Sequence, residues 1–427
     1  MERSGVVRRV VAALAVLAAL TAATACSGSS DDDGADEAPA GGDGAGDGDA
    51  AGSGGDDVEA PEPEVFTGTV EDFYTVPDPL PSGEPGQLIR VQEVESTPET
   101  TTVRVMYHSL DAQRKDRAVT GIVVYPTDPG GAPEEGWPVL SWSHGTTGIA
   151  PKCAPSRGPL PVPTFGVRGV IVATDYVGLG PEGEIHPYLS KYGEGYAAID
   201  AVRAAIDLPE AHAGTRWLSA GHSQGGHGAL SAAELSADHA PELELLGTLA
   251  YAPGAELTKS YGDADAVVTQ VVGAMMLYGA VGEHPELVPE DYAGPELEAV
   301  ADVIRNECLD AVGIAVAPIP ADAVFKRDPR TEELTRSILE ANEVGTVRVD
   351  APLLLISGTA DTTVVIDRVR DLYARLCEIG QVTELVEVEG ADHGDVIPRT
   401  SDTATTWLAE RLAGEPPTDT CATAPPE

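Results

Sequence analysis

Basic residues are scarce in this chain of 427 residues. Lysine and arginine together number 26, against 70 aspartates and glutamates, and the formal net charge is −44. So acidic a surface repels the phosphates of nucleic acids and anionic lipid headgroups. Nucleic-acid binding is therefore set aside, whereas a hydrophobic content of 42% is ample for a folded core.

The N-terminus lacks an apolar run long enough to cross a bilayer. A cluster of arginines precedes the apolar residues 10–25, which fall short of the roughly 20 residues that a spanning helix needs. This pattern predicts a signal peptide over residues 1–25. The following Ala23-Thr24-Ala25-Cys26 resembles a bacterial lipobox, so Cys26 is the predicted lipidation site. Plain secretion remains the alternative.

Cysteine is also rare, and the spacing Cys-x-x-Cys does not occur, which argues against a zinc site. Nothing in the sequence calls for any other metal or for a cofactor. In an exported protein, an even number of cysteines beyond Cys26 indicates disulfide bonds. Spacing alone leaves all three pairings open for the four cysteines Cys153, Cys308, Cys377 and Cys421.

Residues 26–64 have almost no large apolar side chains and no lysine or arginine. Such a segment cannot bury a core, so we expect a disordered acidic tether. Residues 65–427 are the predicted folded domain.

Within that domain, strand patterns alternate with helix patterns. Short apolar runs rich in β-branched residues at 139–143, 170–174 and 353–357 are typical of buried parallel strands. The alternation predicts an α/β fold, with a mostly parallel central sheet covered by helices on both faces. Residues 254–345 show helical spacing without a strand pattern, and we interpret them as a helical cap over the sheet's C-terminal edge.

One motif carries the chemistry. Gly221-His222-Ser223-Gln224-Gly225 follows a predicted strand directly and precedes a small-residue helix. This context is typical of the nucleophile elbow of the α/β-hydrolase fold, in which the glycines give the tight turn its room. Ser223 is thus the candidate nucleophile, placed where a helix dipole favours developing negative charge.

A serine hydroxyl needs a base, and α/β-hydrolases order their triad as Ser, acid, His along the chain. Of the histidines after Ser223, only His393 follows another core strand, in a polar loop. Asp361 follows the strand 353–357 and is the predicted acid, which would fix the tautomer of His393. The fallback acids are Asp350, Asp367 and Asp392.

An oxyanion hole requires two aligned donors. The backbone N–H of Gln224 is one candidate, and the loop 144–148, which follows another strand, supplies the second through Thr146 or Thr147. Residues 175–180 end a further strand, and they either line the site or form a structural turn.

Taken together, these motifs resemble the secretory lipase family, the lipase A-like α/β-hydrolases, over roughly residues 65–421. The resemblance implies a helical cap, the hydrolysis of acyl esters including lipid esters, and the disulfides Cys153–Cys308 and Cys377–Cys421. Fungal members carry an acidic residue in the oxyanion loop, where this chain has Thr146 and Thr147. The motifs that carry the resemblance are 141–148, 153–156, 175–180, 221–226, 358–361 and 392–394.

The sequence thus predicts an exported serine ester hydrolase whose partner is a small-molecule or lipid ester, with membrane contact through Cys26. Two alternatives stay open. A peptidase or acyl-amide hydrolase would use the same triad, and a non-catalytic surface lipoprotein would bind an acyl ligand. The helical pattern at 267–278, with Met275 and Met276, fits either an acyl tunnel or plain core.

Overall fold

The computed structural model describes residues 62–158, 162–163, 165–260 and 267–421. The predicted signal peptide, Cys26 and nearly all of the predicted tether lie outside the described residues, so they remain predictions.

The described chain is built around a ten-stranded sheet with the strand order β1-β2-β3-β4-β6-β5-β7-β8-β9-β10. The six strands from β6 to β10 in this order run parallel, and β2, β3 and β4 pair antiparallel. The mostly parallel sheet is therefore confirmed. The strands are Glu64–Val65 (β1), Leu88–Ser96 (β2), Thr100–Leu110 (β3), Asp116–Pro126 (β4), Trp137–Ser143 (β5), Val170–Thr174 (β6), Ala213–His222 (β7), Glu244–Tyr251 (β8), Leu353–Gly358 (β9) and Thr383–Val388 (β10).

Helices pack on both faces of this sheet. Successive strand residues point to opposite faces, so Trp217 joins one apolar cluster and Leu218 another. The α-helices are Val70–Phe73 (α1), Lys191–Ile206 (α2), Gln224–His239 (α3), Leu257–Ser260 (α4), Val267–Gly279 (α5), Pro295–Glu298 (α6), Ala301–Asn306 (α7), Leu309–Val316 (α8), Ala321–Val324 (α9), Glu333–Ala341 (α10), Ile366–Glu378 (α11), Val396–Arg399 (α12) and Ser401–Leu412 (α13).

Small residues let α2 and α3 approach each other closely on the first face. A Cβ at Gly195 of α2 would lie 3.0 Å from the backbone of Ser231 in α3. Helix α2 begins at Ser190, whose hydroxyl accepts the N–H of Gly193 at 3.0 Å and so caps the helix. This packing fixes α3, which carries the elbow at its N-terminus. Helix α13 packs on the opposite face through Trp407 and Leu408.

The described residues of 254–345 contain helices and no strand, and most of their apolar side chains share one cluster with Ile149, Tyr188 and Leu189 of the core. We call this segment the cap. Its two ends are joined, because the carboxylate of Glu343 accepts the backbone N–H groups of Glu256 and Leu257 at 2.9 and 2.7 Å. The disulfide Cys153–Cys308 links the cap to the core, and Cys377–Cys421 links α11 to the C-terminal segment. These are the pairs that the family resemblance implied.

Among the described residues, no helix has both the length and the apolar character that a membrane span requires.

Candidate active site

Ser223 sits at the tip of a sharp turn between β7 and α3. Its φ of 60° and ψ of −119° are an uncommon backbone conformation for a residue with a side chain. The turn is held on both sides, since the N–H of Ser223 donates to the carbonyl of Tyr251 and its carbonyl accepts the N–H of Gly254, both at 2.9 Å. The sequence prediction of a strand–elbow–helix junction thus matches the local geometry.

The flanking glycines are required by close backbone contacts. A Cβ at Gly221 would lie 2.0 Å from the carbonyl oxygen of Gly225. A Cβ at Gly225 would lie 1.9 Å from the carbonyl oxygen of Ser143. No side chain fits at either position unless the turn moves.

His393 and Asp361 form a buried pair. The Nδ1 of His393 lies 2.7 Å from Oδ2 of Asp361. The other carboxylate oxygen accepts the backbone N–H groups of Thr363 and Val364 at 2.7 and 2.9 Å. With Asp361 accepting at Nδ1, the proton resides there and Nε2 is the free basic atom. Within the described residues Nε2 is buried and makes no hydrogen bond, so a bond from the Ser223 hydroxyl is not formed in this structure.

The three alternative candidates for the acid of the triad make other contacts. Asp350 and Asp367 have exposed side chains that pair with Arg348 and Arg370. Asp392 accepts the N–H groups of Gly394 and Asp395 within its own loop. Asp361 is the carboxylate that the fold brings to His393.

The structure separates the two oxyanion candidates Thr146 and Thr147. Thr146 and Gln224 both line a cleft that contains Ser223, and Gln224 is the first residue of α3, where backbone N–H groups have no helical partner. The carbonyl of Thr147 instead accepts the N–H of Leu309 in the cap at 2.9 Å, and Thr147 is not among the residues that line the cleft. The geometry therefore favours Thr146 as the second donor.

The segment 175–180 supports the oxyanion loop from behind. The hydroxyl of Tyr176 donates to the carbonyl of His144 at 2.9 Å, and their rings lie 4.4 Å apart. Asp175 is buried and accepts hydrogen bonds from Ser156 and Thr120. Neither Tyr176 nor Asp175 lines the cleft, so the structural alternative holds for this segment.

A buried polar network lies beneath the elbow, and no motif in the sequence predicts it. The side-chain amide of Gln224 donates to Nε2 of His186 at 2.7 Å and to Oε1 of Glu194 at 2.8 Å. Burial lowers the pKa of His186 to about 4, so this ring is neutral. Its Nδ1 donates to the carbonyl of Val177 at 2.8 Å, which leaves Nε2 as the acceptor that Gln224 needs.

His227 extends the network into the cap. Its Nδ1 lies 2.7 Å from Oε2 of Glu194, and its Nε2 donates to the carbonyl of Asn342 at 2.8 Å. Burial lowers the pKa of this imidazole, but the charge of Glu194 together with the hydrogen bonds to Glu194 and Asn342 outweighs that effect, and the net shift is upward. One buried carboxylate thus connects the residue after the nucleophile with the end of the cap.

The cleft over Ser223 is mostly apolar and encloses about 810 Å³, part of it open to solvent. Met275 of α5 lines it, while Met276 lines a second cavity of about 450 Å³ between the cap and the segment 187–190. The apolar face of α5 thus contributes to two cavities. The cap contributes the apolar side chains Leu257, Val268, Val271, Val272, Met275 and Leu309.

In the part of the chain that the structure describes, no group of three or more histidine, cysteine, aspartate or glutamate side chains could hold a metal ion.

The strand order and the strand–elbow–helix junction define an α/β-hydrolase fold. The chain aligns in structure with Candida antarctica lipase A in its closed state, with a TM-score of 0.69 and 18% identity over 83% of this chain and 88% of the other. A model of the family described as secretory lipase matches residues 166–420, so the chain belongs to that family.

Two curated relatives match most of the chain. One is the probable inactive lipase MT1628 of Mycobacterium tuberculosis, 23% identical over 81% of this chain and 83% of the relative. The other is Lipase 1 of Candida albicans, 23% identical over 82% of each chain. Because one relative is described as probably inactive, family membership alone does not decide whether this chain is a catalyst.

Proposed function

We propose that this protein is an exported serine carboxylic-ester hydrolase, a lipase or esterase, that acts through an acyl-enzyme. The observation that carries the proposal is the combination of Ser223 on the elbow with the buried Asp361–His393 pair, whose Nδ1–Oδ2 distance is 2.7 Å. A chain that had lost catalysis would have no need of an oriented imidazole near a strained serine.

In the first half-reaction, the oxygen of Ser223 attacks the ester carbonyl carbon while Nε2 of His393 takes the serine proton. Asp361 stabilises the imidazolium that forms. The backbone N–H groups of Gln224 and Thr146 donate hydrogen bonds to the carbonyl oxygen and so stabilise the negative charge that develops on it. Collapse of this intermediate breaks the bond to the alkoxide, which leaves as the alcohol with the proton from His393. The acyl group stays on Ser223.

In the second half-reaction, His393 removes a proton from water as the water oxygen attacks the acyl carbon. The carboxylic acid is released and Ser223 regains its proton from His393. Neither step draws on a cofactor or a metal. The serine proton departs with the alcohol, and a proton from the attacking water replaces it on Ser223.

The apolar lining of the cleft supports an acyl chain as the bound group. Leu257, Val271 and Met275 carry no charge and line the same cleft as Ser223, whose lining also includes the charged side chain of Arg368. Lipid esters such as triacylglycerols fit this description. An amide substrate would use the same triad, so substrate class is a matter for experiment.

The location that we propose is the outer face of a bacterial membrane, through a lipid on Cys26, with secretion as the alternative. The two disulfide bonds fit an oxidising compartment outside the cytoplasm.

The test compares the exported protein, disulfides intact, with Ser223→Ala. Both are assayed on p-nitrophenyl esters from acetyl to palmitoyl and on a panel of peptide p-nitroanilides. Ser236→Ala is the matched control, since Ser236 lies on the same helix and bonds only the carbonyl of Ala233. We expect ester turnover in the wild type and the control, and none in Ser223→Ala. Turnover of amides alone would reject the ester assignment, and a folded wild type inert on both panels would favour the acyl-binding alternative.

A further inference from the structure

His222, the residue before the nucleophile, contacts the catalytic base. Its Nε2 lies 2.9 Å from the backbone carbonyl oxygen of His393. The two rings also face each other, with centroids 4.5 Å apart and planes at 44°. The Gly-x-Ser-x-Gly pattern accepts many residue types at this position, so the motif itself assigns His222 no role.

The hydrogen bond fixes the state of His222. A carbonyl oxygen can only accept, so the proton of the neutral ring resides on Nε2. Burial, together with the neighbouring His393, lowers the pKa of His222 to about 3. The ring is therefore a neutral donor at all pH values where the enzyme would work. A lysine or arginine donor in its place would put a charge beside His393 and oppose its protonation.

His393 needs such a contact because it lies in a loop between β10 and α12. Its ring is held by Asp361 through Nδ1, and its carbonyl is held by His222. The second contact comes from His222, which directly precedes Ser223 in the chain. It thus ties the loop that carries the base directly to the turn that carries the nucleophile.

We propose that His222 is a positioning residue that sets the placement of His393 relative to Ser223. The proposal rests on the serine hydrolase function proposed above. Loss of the donor lets the loop shift, and a misplacement of about 1 Å can lower a rate roughly 10²-fold.

The experiment compares variants of His222 that differ in whether, and how far from the backbone, the side chain carries a hydrogen-bond donor. His222→Gln places an amide N–H close to the position of Nε2, His222→Asn falls short of it, and His222→Phe keeps a ring without a donor. We expect kcat for the best ester to fall by about 10- to 100-fold in the Asn and Phe variants, with KM within about twofold. The Gln variant should stay within about threefold of the wild type.

His239→Phe is the matched control, because His239 is also a histidine with a hydrogen bond, 2.8 Å to Asp200, and it is buried. It ends the helix that Gln224 begins, so it lies roughly 20 Å from the elbow at 1.5 Å per residue. We expect it to lose thermal stability and keep its kcat. If His222→Phe does not fold, the Asn and Gln variants still decide.

Equal activity in all His222 variants, or equal loss in Gln and Asn, overturns the positioning role. If that happens while Ser223→Ala is inactive, only this inference fails. A wild type without any turnover overturns both proposals.

Discussion

At the scale of single residues, the elbow depends on Gly225 having no side chain. Gly225→Ala would put a methyl carbon 1.9 Å from the carbonyl oxygen of Ser143. The turn must open to relieve this contact, which moves both Ser223 and the N–H of Gln224. We expect ester kcat to fall by at least 100-fold, because the nucleophile and an oxyanion donor shift together.

Gly228→Ala, on the same helix, is the control for that prediction. Its new Cβ meets nothing closer than 3.4 Å, and alanine is favoured over glycine within a helix by about 1 kcal/mol. Near-wild-type kcat with a slightly raised Tm is expected there. An active Gly225→Ala would show that the turn tolerates the displacement and that the elbow does not set the rate.

Asp361→Asn tests the role of the acid. The Asn oxygen would keep the N–H groups of Thr363 and Val364, so its amide nitrogen would face Nδ1 of His393. A donor there forces the proton of the ring to Nε2, where it blocks the uptake of the serine proton. We expect kcat to fall about 10³- to 10⁴-fold with little change in fold, as judged by circular dichroism. The exposed Asp367→Asn should have no effect, and equal effects of the two substitutions would reject Asp361 as the acid.

The sequence allowed the residues of the proposed reaction to be predicted, because motif and chain order are local signals. It did not allow their supports to be predicted. Glu194, His186 and His222 act through hydrogen bonds to residues of other elements, and no spacing in the chain marks such contacts. These contacts could be seen only once the fold had brought α2, α3 and the loop of His393 together.

At the scale of elements, the join between cap and core contains a buried carboxyl. Glu283 accepts hydrogen bonds from the Ser190 hydroxyl at 2.7 Å and from the N–H of Ala112 at 3.2 Å. Burial raises its pKa to about 7, and the nearby carboxylates Asp111 and Glu194 add to the shift. The folded protein thus holds a proton on Glu283 more tightly than the unfolded chain does.

Such a group stabilises the fold at low pH, and its contribution is lost as the pH rises from about 4.5 through about 7. We therefore expect Glu283→Gln, which stays neutral, to be as stable as the wild type near pH 5 and more stable at pH 8. The gain is on the order of 3 kcal/mol, since one pKa unit corresponds to about 1.4 kcal/mol. Urea denaturation at the two pH values measures it. A stability difference that does not change with pH would contradict the prediction.

Elements with strong apolar patterns were predicted within a few residues, as in β6, whose bounds match. The strand β2 was not predicted, because its second half is exposed and carries no core pattern. Helix α11 was missed as well, since charged residues outnumber apolar ones on its surface. Within 254–345, where only helical spacing was predicted, the structure divides the helices finely, and Ala299 and Val300 separate α6 from α7.

At the scale of the whole molecule, two disulfides restrain the chain to different degrees. Cys153–Cys308 spans 155 residues and Cys377–Cys421 spans 44. On the loop-entropy account, replacing each pair by alanine should cost about 5 and about 4 kcal/mol of unfolding free energy, respectively.

The first pair should also affect catalysis. Cys308 bridges to Gly148 and Leu309 binds Thr147, so this disulfide holds the oxyanion loop against the cap. We expect Cys153→Ala/Cys308→Ala to lose kcat as well as stability, and Cys377→Ala/Cys421→Ala to lose stability alone. Denaturation midpoints and ester kinetics on both double variants check this. The reverse order of kinetic effects would show that the cap is not held through Cys308.

The general architecture follows from alternation of strand and helix patterns, which the sequence displays. The cleft does not follow from this alternation, because residues from distant parts of the chain, such as Thr146, Leu257 and Leu309, form its walls. These segments come together only when the cap packs on the sheet, and no local sequence pattern predicts that packing.

The central claim is that Ser223 carries the acyl group. The most direct measurement mixes the exported protein with a p-nitrophenyl ester, quenches in acid and maps the acylated peptide by mass spectrometry. We predict one acyl group on Ser223, reduced to background in both His393→Ala and Asp361→Ala. A protein that releases p-nitrophenol without an adduct on Ser223, or with one on another residue, would contradict the mechanism proposed for this site.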